Sequence, residues 1–215
     1  MDTDKLIIIP SYNEIRSLKK ICKHFKKNKF NFLVLDDHSS DGSHEWLKKN
    51  RVNFIRNKTN IGYERNILKG FRYALKSKKI SYVITFDGDG EHKKDDILKV
   101  YRILKKTQID LLVCNRKNLN RWSEYILSFL FNLRFNLKDP ISGFKAYNIM
   151  IIKKFINFVK SNNFLVDIVF FSLINNFNVK NYGIKTYKNK NSRIGNNIYT
   201  NLKILKCLKF LISNY

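Results

Sequence analysis

The chain has 215 residues, 44% hydrophobic and 14% aromatic, with a net charge of +25. A chain of this length can bury about 70% of its unfolded surface in one core, and this apolar content excludes intrinsic disorder. No apolar stretch approaches the roughly 18 residues of a membrane-spanning helix. In chain order, Leu6–Ile9 reads as a strand and Glu14–Lys27 as a helix with Leu18, Ile21, Cys22 and Phe25 on one face. Phe32–Leu35 is a strand, Ser43–Lys49 a helix, Val52–Arg56 a short strand and Glu64–Lys76 a helix. Tyr82–Phe86 is a strand, Asp95–Lys106 a helix and Leu111–Cys114 a strand. The second half is more helical, over Trp122–Phe135, Ile149–Lys160 and Leu165–Asn176, with a strand near Val179–Lys185 and a last helix over about 199–213. This alternation predicts an α/β domain, a mainly parallel sheet with helices on both faces. No Pro/Gly/Ser-rich linker divides the chain, so residues 1–215 are expected to form one domain.

In open α/β sheets, ligands bind beyond the carboxyl ends of the strands. The segments there are "PSYNE" (Pro10–Glu14), "DDHSSDG" (Asp36–Gly42), "NKTNIGYERN", "DGDGEH" (Asp87–His92) and "NRK" (Asn115–Lys117). Acids, amides and turn formers therefore collect on one rim. Asp87 and Asp89, two apart, face one way if the chain is extended, and Glu91 adds a third carboxylate. Hard oxygen donors suit Mg²⁺ or Mn²⁺, which can bridge to a diphosphate. A calcium loop beginning at Asp87 would need Gly and Glu where His92 and Leu98 stand, which excludes that reading. His92 is equally open to a metal or phosphate contact and to a structural role at a helix entry. Asp41 is expected to cap the helix that follows it.

Taken together, "IIIPSYNE", "LVLDDHSSDG", "NIGYERNILKGF", "YVITFDGDGEH", "NRK" and "KDPISGFKAY" resemble, in order and spacing, family 2 glycosyltransferases with the GT-A fold. Within that family the chain is most similar to the dolichol- or polyprenol-phosphate sugar synthases, over roughly Leu6–Asp167. The resemblance implies a Rossmann-like sheet and transfer of a sugar from a UDP- or GDP-linked donor to a polyprenyl phosphate. It implies that Pro10, Tyr12 and Glu14 flank the nucleobase and that Asp37 sits near base or ribose. Asp87 and Asp89 correspond to the two acids that hold the metal on the donor diphosphate. Glu91 stands where the branch usually has Gln. Arg116 matches an Arg expected to touch a phosphate or the acceptor, and Ser142 and Gly143 match the S-G of a DP-x-SGF segment. Arg193 in "SRIGNN" resembles the Arg of a late acceptor-phosphate loop, although the Ser-Lys pair of that loop is missing.

Elementary chemistry bears on the same roles. A divalent cation neutralises a diphosphate leaving group, and Arg donors hold phosphate oxygens bidentately. A hydroxyl acceptor also needs a general base. Asp167, a lone acid in the apolar run "FLVDIVFF", is the candidate. An acid paired within its own helix fits that residue equally well. Two alternatives stand beside transfer to a lipid phosphate. One is transfer to a hydroxyl of a cell-surface glycan, and the other is a basic, membrane-associated binding protein without activity.

The charge is spread along the chain and accompanies no nucleic-acid motif, so a nucleic-acid partner is not expected. Compositional drift toward Lys accounts for most of the total and an anionic membrane surface stays open; the last helix, with Lys203, Lys206 and Lys209, either packs on its own domain or contacts such a surface. Cys22, Cys114 and Cys207 are odd in number and widely separated, which suits a reducing cytosol. Met1–Asp4 runs directly into a strand, so no signal peptide is expected. The expectation is a cytoplasmic protein, with a peripheral position on the cytoplasmic face of a membrane left open.

Overall fold

A computed structural model describes residues 4–157 and 164–187, together with Ile198, Asn201, Leu202, Ile204 and Leu205. Seven strands form one sheet: β1 (Lys5–Ser11), β2 (Phe32–Asp36), β3 (Phe54–Arg56), β4 (Tyr82–Thr85), β5 (Leu111–Arg116), β6 (Lys145–Asn148) and β7 (Val179–Ile184). The helices are α1 (Ile15–Lys27), α2 (Ser43–Lys49), α3 (Tyr63–Leu75), α4 (Asp96–Lys106), α5 (Trp122–Phe135), α6 (Ile149–Phe155) and α7 (Phe164–Ile174). The strand order is β3-β2-β1-β4-β6-β5-β7.

The period-two alternation of the strands divides the core between the two faces of the sheet. Leu6, Ile8, Leu33, Leu35, Val83, Leu111 and Val113 pack on one face against α3, α5, α6 and α7. Ile7, Ile9, Val34, Ile84, Leu112 and Cys114 pack on the other against α1, α2 and α4. The Leu18, Ile21, Cys22 and Phe25 stripe predicted for α1 is buried there. Burial pushes the Cys22 thiol up to about 12, and it raises Cys114 as well.

Two features of the topology create the site. Chain order reverses at β1, which pairs in parallel with β2 on one side and β4 on the other. Such a reversal opens a crevice at the carboxyl ends of the strands. The second feature was not predicted: β6 lies between β4 and β5 and runs antiparallel to both. Its first residue therefore pairs with the last residue of β4, Thr85 opposite Lys145. That register brings the segment before β6, Asp139–Phe144, onto the rim beside the acidic turn.

The other elements fall within a few residues of their predicted bounds. α6 ends at Phe155, with residues 156–157 in a turn, short of the predicted Lys160. Most of the predicted last helix, with Lys203, Lys206 and Lys209, lies outside the described residues, as does Arg193. The described positions Ile198, Asn201, Leu202, Ile204 and Leu205 are helical. Among the described residues no helix is long and apolar enough to cross a membrane.

Candidate active site

β4 ends at Thr85, and the chain turns through Gly88–Gly90 instead of continuing extended. Asp87 and Asp89 therefore do not share a strand face, which corrects the sequence-based geometry. The turn is tight because β1 crowds it. A Cβ on Gly88 would lie 2.8 Å from the Pro10 carbonyl oxygen, to which the Gly88 N–H donates at 3.2 Å. Gly90 has φ +83°, a conformation L side chains rarely adopt.

Asp87 is fixed from three sides. The Tyr63 hydroxyl, from the first residue of α3, donates to Oδ1 at 2.7 Å. His92 Nε2 lies 3.2 Å from Oδ2. On the third side lies Gly143, where an added Cβ would stand 2.0 Å from Asp87 Oδ2. Only glycine lets the Ser142–Phe144 backbone close against this carboxylate. Burial disfavours charge on Asp87, yet its pKa is lowered, because the His92 hydrogen bond and charge and the Tyr63 hydrogen bond outweigh that cost. Burial and the Asp87 charge raise Tyr63 well above its ordinary value, so its hydroxyl keeps the proton that it donates.

Asp89 behaves oppositely. Burial and the Asp87 charge push it up to about 7. Its Oδ1 accepts the Glu91 N–H at 2.9 Å. Glu91 is also raised, chiefly by burial, and its carbonyl accepts the Tyr187 N–H at 2.8 Å. Asp87, Asp89 and Glu91 do not form a ready cage: among the described residues no three His, Cys, Asp or Glu side chains are grouped to hold a metal ion. The donor set still fits a hard cation that keeps places for water and phosphate. Two crowded carboxylates, one of them held near neutrality, are the groups whose charge such a cation would offset.

Behind the turn lies a closed ionic network. Arg116, at the end of β5, donates to both oxygens of Asp139, from Nε at 2.8 Å and Nη2 at 2.9 Å. Its backbone N–H also reaches Asp139 at 2.9 Å, and Nη2 reaches Glu124 Oε2 at 3.3 Å. Arg121 pairs with the other Glu124 oxygen. The Nε–Nη2 edge of Arg116 is committed to the protein. The Ser142 hydroxyl is likewise committed, donating to the Cys114 carbonyl at 2.6 Å. Ser142 thus anchors the turn to β5 from a fully buried position. Lys145 Nζ donates to the Ser142 carbonyl, and burial lowers its amine to about 8.

On the other side of the crevice, Tyr12 is 40% exposed just beyond β1 and Pro10 is buried within it. Glu14 precedes α1, with its carbonyl accepting the Ser17 hydroxyl at 3.0 Å. Asp37 is 3% exposed and takes three protein donors. Asn57 Nδ2 at 2.7 Å and Ile61 N–H at 2.9 Å reach Oδ1, and Gly62 N–H at 2.9 Å reaches Oδ2. Its carboxylate thus clamps the residues leading into Tyr63, a commitment the sequence reading did not foresee. Asp167 is 1% exposed within α7, whose first N–H is received by Glu64 of α3 at 2.9 Å.

Tyr63, Asp139, Glu124 and Lys145 were not singled out from the sequence. A signal existed for three of them, since Tyr63 stands in "NIGYERN" and both Asp139 and Lys145 stand in "KDPISGFKAY". What was missing was the pairing, which requires the fold.

A mainly parallel sheet with one antiparallel strand thus carries an acidic turn at its switch point, where open α/β sheets bind ligands. The sequence pattern described as "Glycosyl transferase family 2" matches residues 6–183. The chain belongs to that family and is a glycosyltransferase. An uncharacterized protein of Methanocaldococcus jannaschii is 30% identical over 93% of this chain and 88% of its own length. A second uncharacterized protein of that organism is 36% identical, and the match spans about half of each chain, 52%. The UDP-N-acetylglucosamine–dolichyl-phosphate N-acetylglucosaminyltransferase of Methanococcus voltae is 25% identical over 97% of this chain and 99% of its own. Among solved structures, the glucosyl-3-phosphoglycerate synthase of Mycobacterium tuberculosis, in complex with UDP, superposes with a TM-score of 0.75 at 10% identity. That superposition covers 97% of this chain and 79% of the other. A Pyrobaculum calidifontis mannosyltransferase, in complex with GDP-Man and Mn²⁺, gives 0.63 at 13% identity, covering 86% of this chain and 56% of the other. These likenesses identify the fold as GT-A.

Proposed function

We propose that the chain moves a sugar from a UDP- or GDP-linked donor to a polyprenyl phosphate. The observation that carries this reading is the immobilised Asp87, with Asp89 beside it, at the switch point of the sheet. The Methanococcus voltae relative, named for transfer to dolichyl phosphate and alignable along nearly the whole chain, supports the acceptor.

Asp87 and Asp89 would hold Mg²⁺ or Mn²⁺. When bound, that ion supplies Lewis-acid neutralisation of charge on the donor diphosphate. Tyr63, His92 and Gly143 keep Asp87 in one orientation, so little reorganisation is needed when donor arrives. The exposed Tyr12 ring offers a stacking face for the nucleobase, with Pro10 and Glu14 alongside. Asp37 serves the donor side through the backbone of residues 61–62, which sets Tyr63. Arg116, held by Asp139, brings a positive charge toward the acidic turn, and Arg193 is the second cation assigned to phosphate.

A phosphate monoester has its second pKa near about 6 and is already anionic at neutral pH. Its oxygen attacks the anomeric carbon directly, the nucleoside diphosphate leaves, and a single displacement inverts that centre. No general base is needed. A second reading, transfer to a glycan hydroxyl, is favoured by one observation, the 1% exposed acid Asp167 in α7. The two are separated by offering UDP-N-acetylglucosamine or GDP-mannose with Mn²⁺ to a polyprenyl phosphate and to glycan acceptors, with mass detection of product. The lipid-phosphate reading predicts sugar-phosphate lipid as product, with Asp167→Asn still active. Product only on hydroxyl acceptors, abolished by roughly 10²–10⁴ in Asp167→Asn, is the outcome that overturns it.

A further inference from the structure

The turn that closes on Asp87 carries one polar group that the fold leaves unused. From Ser142 to Lys145 the backbone N–H groups are received one after another. The Asp139 carbonyl takes Ser142 at 3.1 Å, the Ser142 hydroxyl takes Phe144 at 3.3 Å and the Thr85 hydroxyl takes Lys145 at 3.3 Å. The Gly143 N–H is the exception, since among the described residues nothing accepts it. The carbonyls of the same turn are all engaged. Lys145 Nζ donates to Ser142, the Thr85 hydroxyl to Gly143 at 2.7 Å and the Cys114 N–H to Phe144 at 3.0 Å. An unpaired backbone donor at a half-buried position calls for a partner, because such groups are rarely left without one.

That N–H has a fixed direction. In a trans peptide the C=O and the N–H point opposite ways. The Ser142 carbonyl is held by the ammonium of Lys145, which is 0% exposed. The Gly143 N–H therefore points away from the buried ammonium. It belongs to the residue on which an added Cβ would stand 2.0 Å from Asp87 Oδ2, so it lies beside the carboxylate assigned to the cation. A neutral donor would satisfy one carbonyl at less cost than a buried lysine. What the charge adds is polarisation: a cation on the carbonyl makes the N–H of the same peptide a stronger donor. Burial lowers the Lys145 amine to about 8, and the charges of Asp139 and Asp87 oppose that loss, so the amine is still mainly protonated at neutral pH.

We infer that the Gly143 N–H donates to a phosphate oxygen during transfer, and that Lys145 is the positioning residue that aims and polarises it. The inference rests on the proposed phosphate chemistry of the site. A backbone donor suits this task because its place is set before the ligand arrives, with no side chain to reorganise. The oxygen belongs either to the donor diphosphate or to the acceptor phosphate, and the two sources are separable by experiment.

Ser142–Gly143 is the only Ser-Gly pair in the sequence. Protein made with serine carrying ¹³C at its carbonyl and glycine carrying ¹⁵N therefore gives one correlation, joining the Ser142 carbonyl to the Gly143 N–H. One arm adds UDP or GDP with Mg²⁺, the other a short-chain isoprenyl phosphate, with calorimetry establishing binding in each. The Gly143 proton is expected to move downfield in the arm whose phosphate it contacts, which identifies the source. Lys145→Met is expected to move the Ser142 carbonyl carbon upfield, to shrink the ligand shift and to lower turnover about tenfold or more. Its thermal midpoint should hold or rise, since a buried charge is gone. If that variant does not fold, Lys145→Gln makes the same comparison. Binding with the Gly143 proton unmoved in every arm that binds overturns the inference and leaves the phosphate reading standing. Absence of binding in both arms removes that reading and the inference with it. A ligand shift of full size in the Lys145 variant overturns the role given to the lysine.

Discussion

Asp87 has little freedom: Tyr63, His92 and Gly143 each close one side of its carboxylate. The Gly143 contact is the most exacting, because a methyl group there would stand 2.0 Å from Oδ2. Either Asp87 or the backbone before β6 must move to admit it. Gly143→Ala is expected to cost about 1–3 kcal/mol of stability, as overpacking does, and to lower transfer on the order of 10², since small displacements of a reacting constellation cost that much. Urea midpoints and initial rates measure the two effects. Full activity in Gly143→Ala would mean that the Asp87 orientation seen here does not matter to the reaction.

Between elements, the same economy of side chains appears at Asp41. Its Oδ2 accepts the N–H of Ile15, the first residue of α1, at 2.8 Å. Its Oδ1 accepts the N–H and hydroxyl of Ser43, the first residue of α2. One carboxylate therefore serves two helix starts, where the sequence predicted one. Asp41→Ala is expected to destabilise the fold by about 1–2 kcal/mol, the range of a lost cap. Burial opposes charge on Asp41, but the hydrogen bonds from Ser43 and Ile15 outweigh it and lower its pKa. Its contribution is therefore complete at neutral pH and fades as pH falls below the ordinary carboxylate range. The difference between wild type and Asp41→Ala should narrow toward acid, and a gap that widens there would contradict the capping role. At this scale the limits of sequence reading are plain. The alternation of Leu6–Ile9, Phe32–Leu35 and Tyr82–Phe86 with amphipathic helices made most of the sheet legible, because strand and helix periods are local signals. β6 gave no such signal. "KAYN" is four residues beginning with lysine, and only its insertion between β4 and β5 buries it on both faces. The rim acids were legible by position. Their partners were not, because Tyr63 lies 24 residues from Asp87 and Asp139 lies 23 from Arg116. Asp37 and Arg116 were read as ligand contacts from motif alone, and geometry commits both to neighbouring protein groups first.

Over the whole molecule, the excess of base over acid, +25 net, surrounds a small island of carboxylates at the carboxyl end of the sheet. Such a field draws anions, donor diphosphates and anionic lipid alike, toward the surface. The island then needs a cation to accept a diphosphate. Asp89, pushed up to about 7 by burial and by Asp87, marks where that demand is concentrated. The most direct test is calorimetric titration of UDP- and GDP-sugars into the protein, with Mn²⁺ and with excess chelator, for the wild type and for Asp89→Asn. Binding is predicted to require Mn²⁺ and to weaken at least about tenfold in Asp89→Asn. The thermal midpoint of the metal-free variant should hold or rise, since a crowded buried charge has been removed. Equal donor affinity in chelator, or in Asp89→Asn with Mn²⁺, would contradict the assignment of the acidic pair to the donor diphosphate.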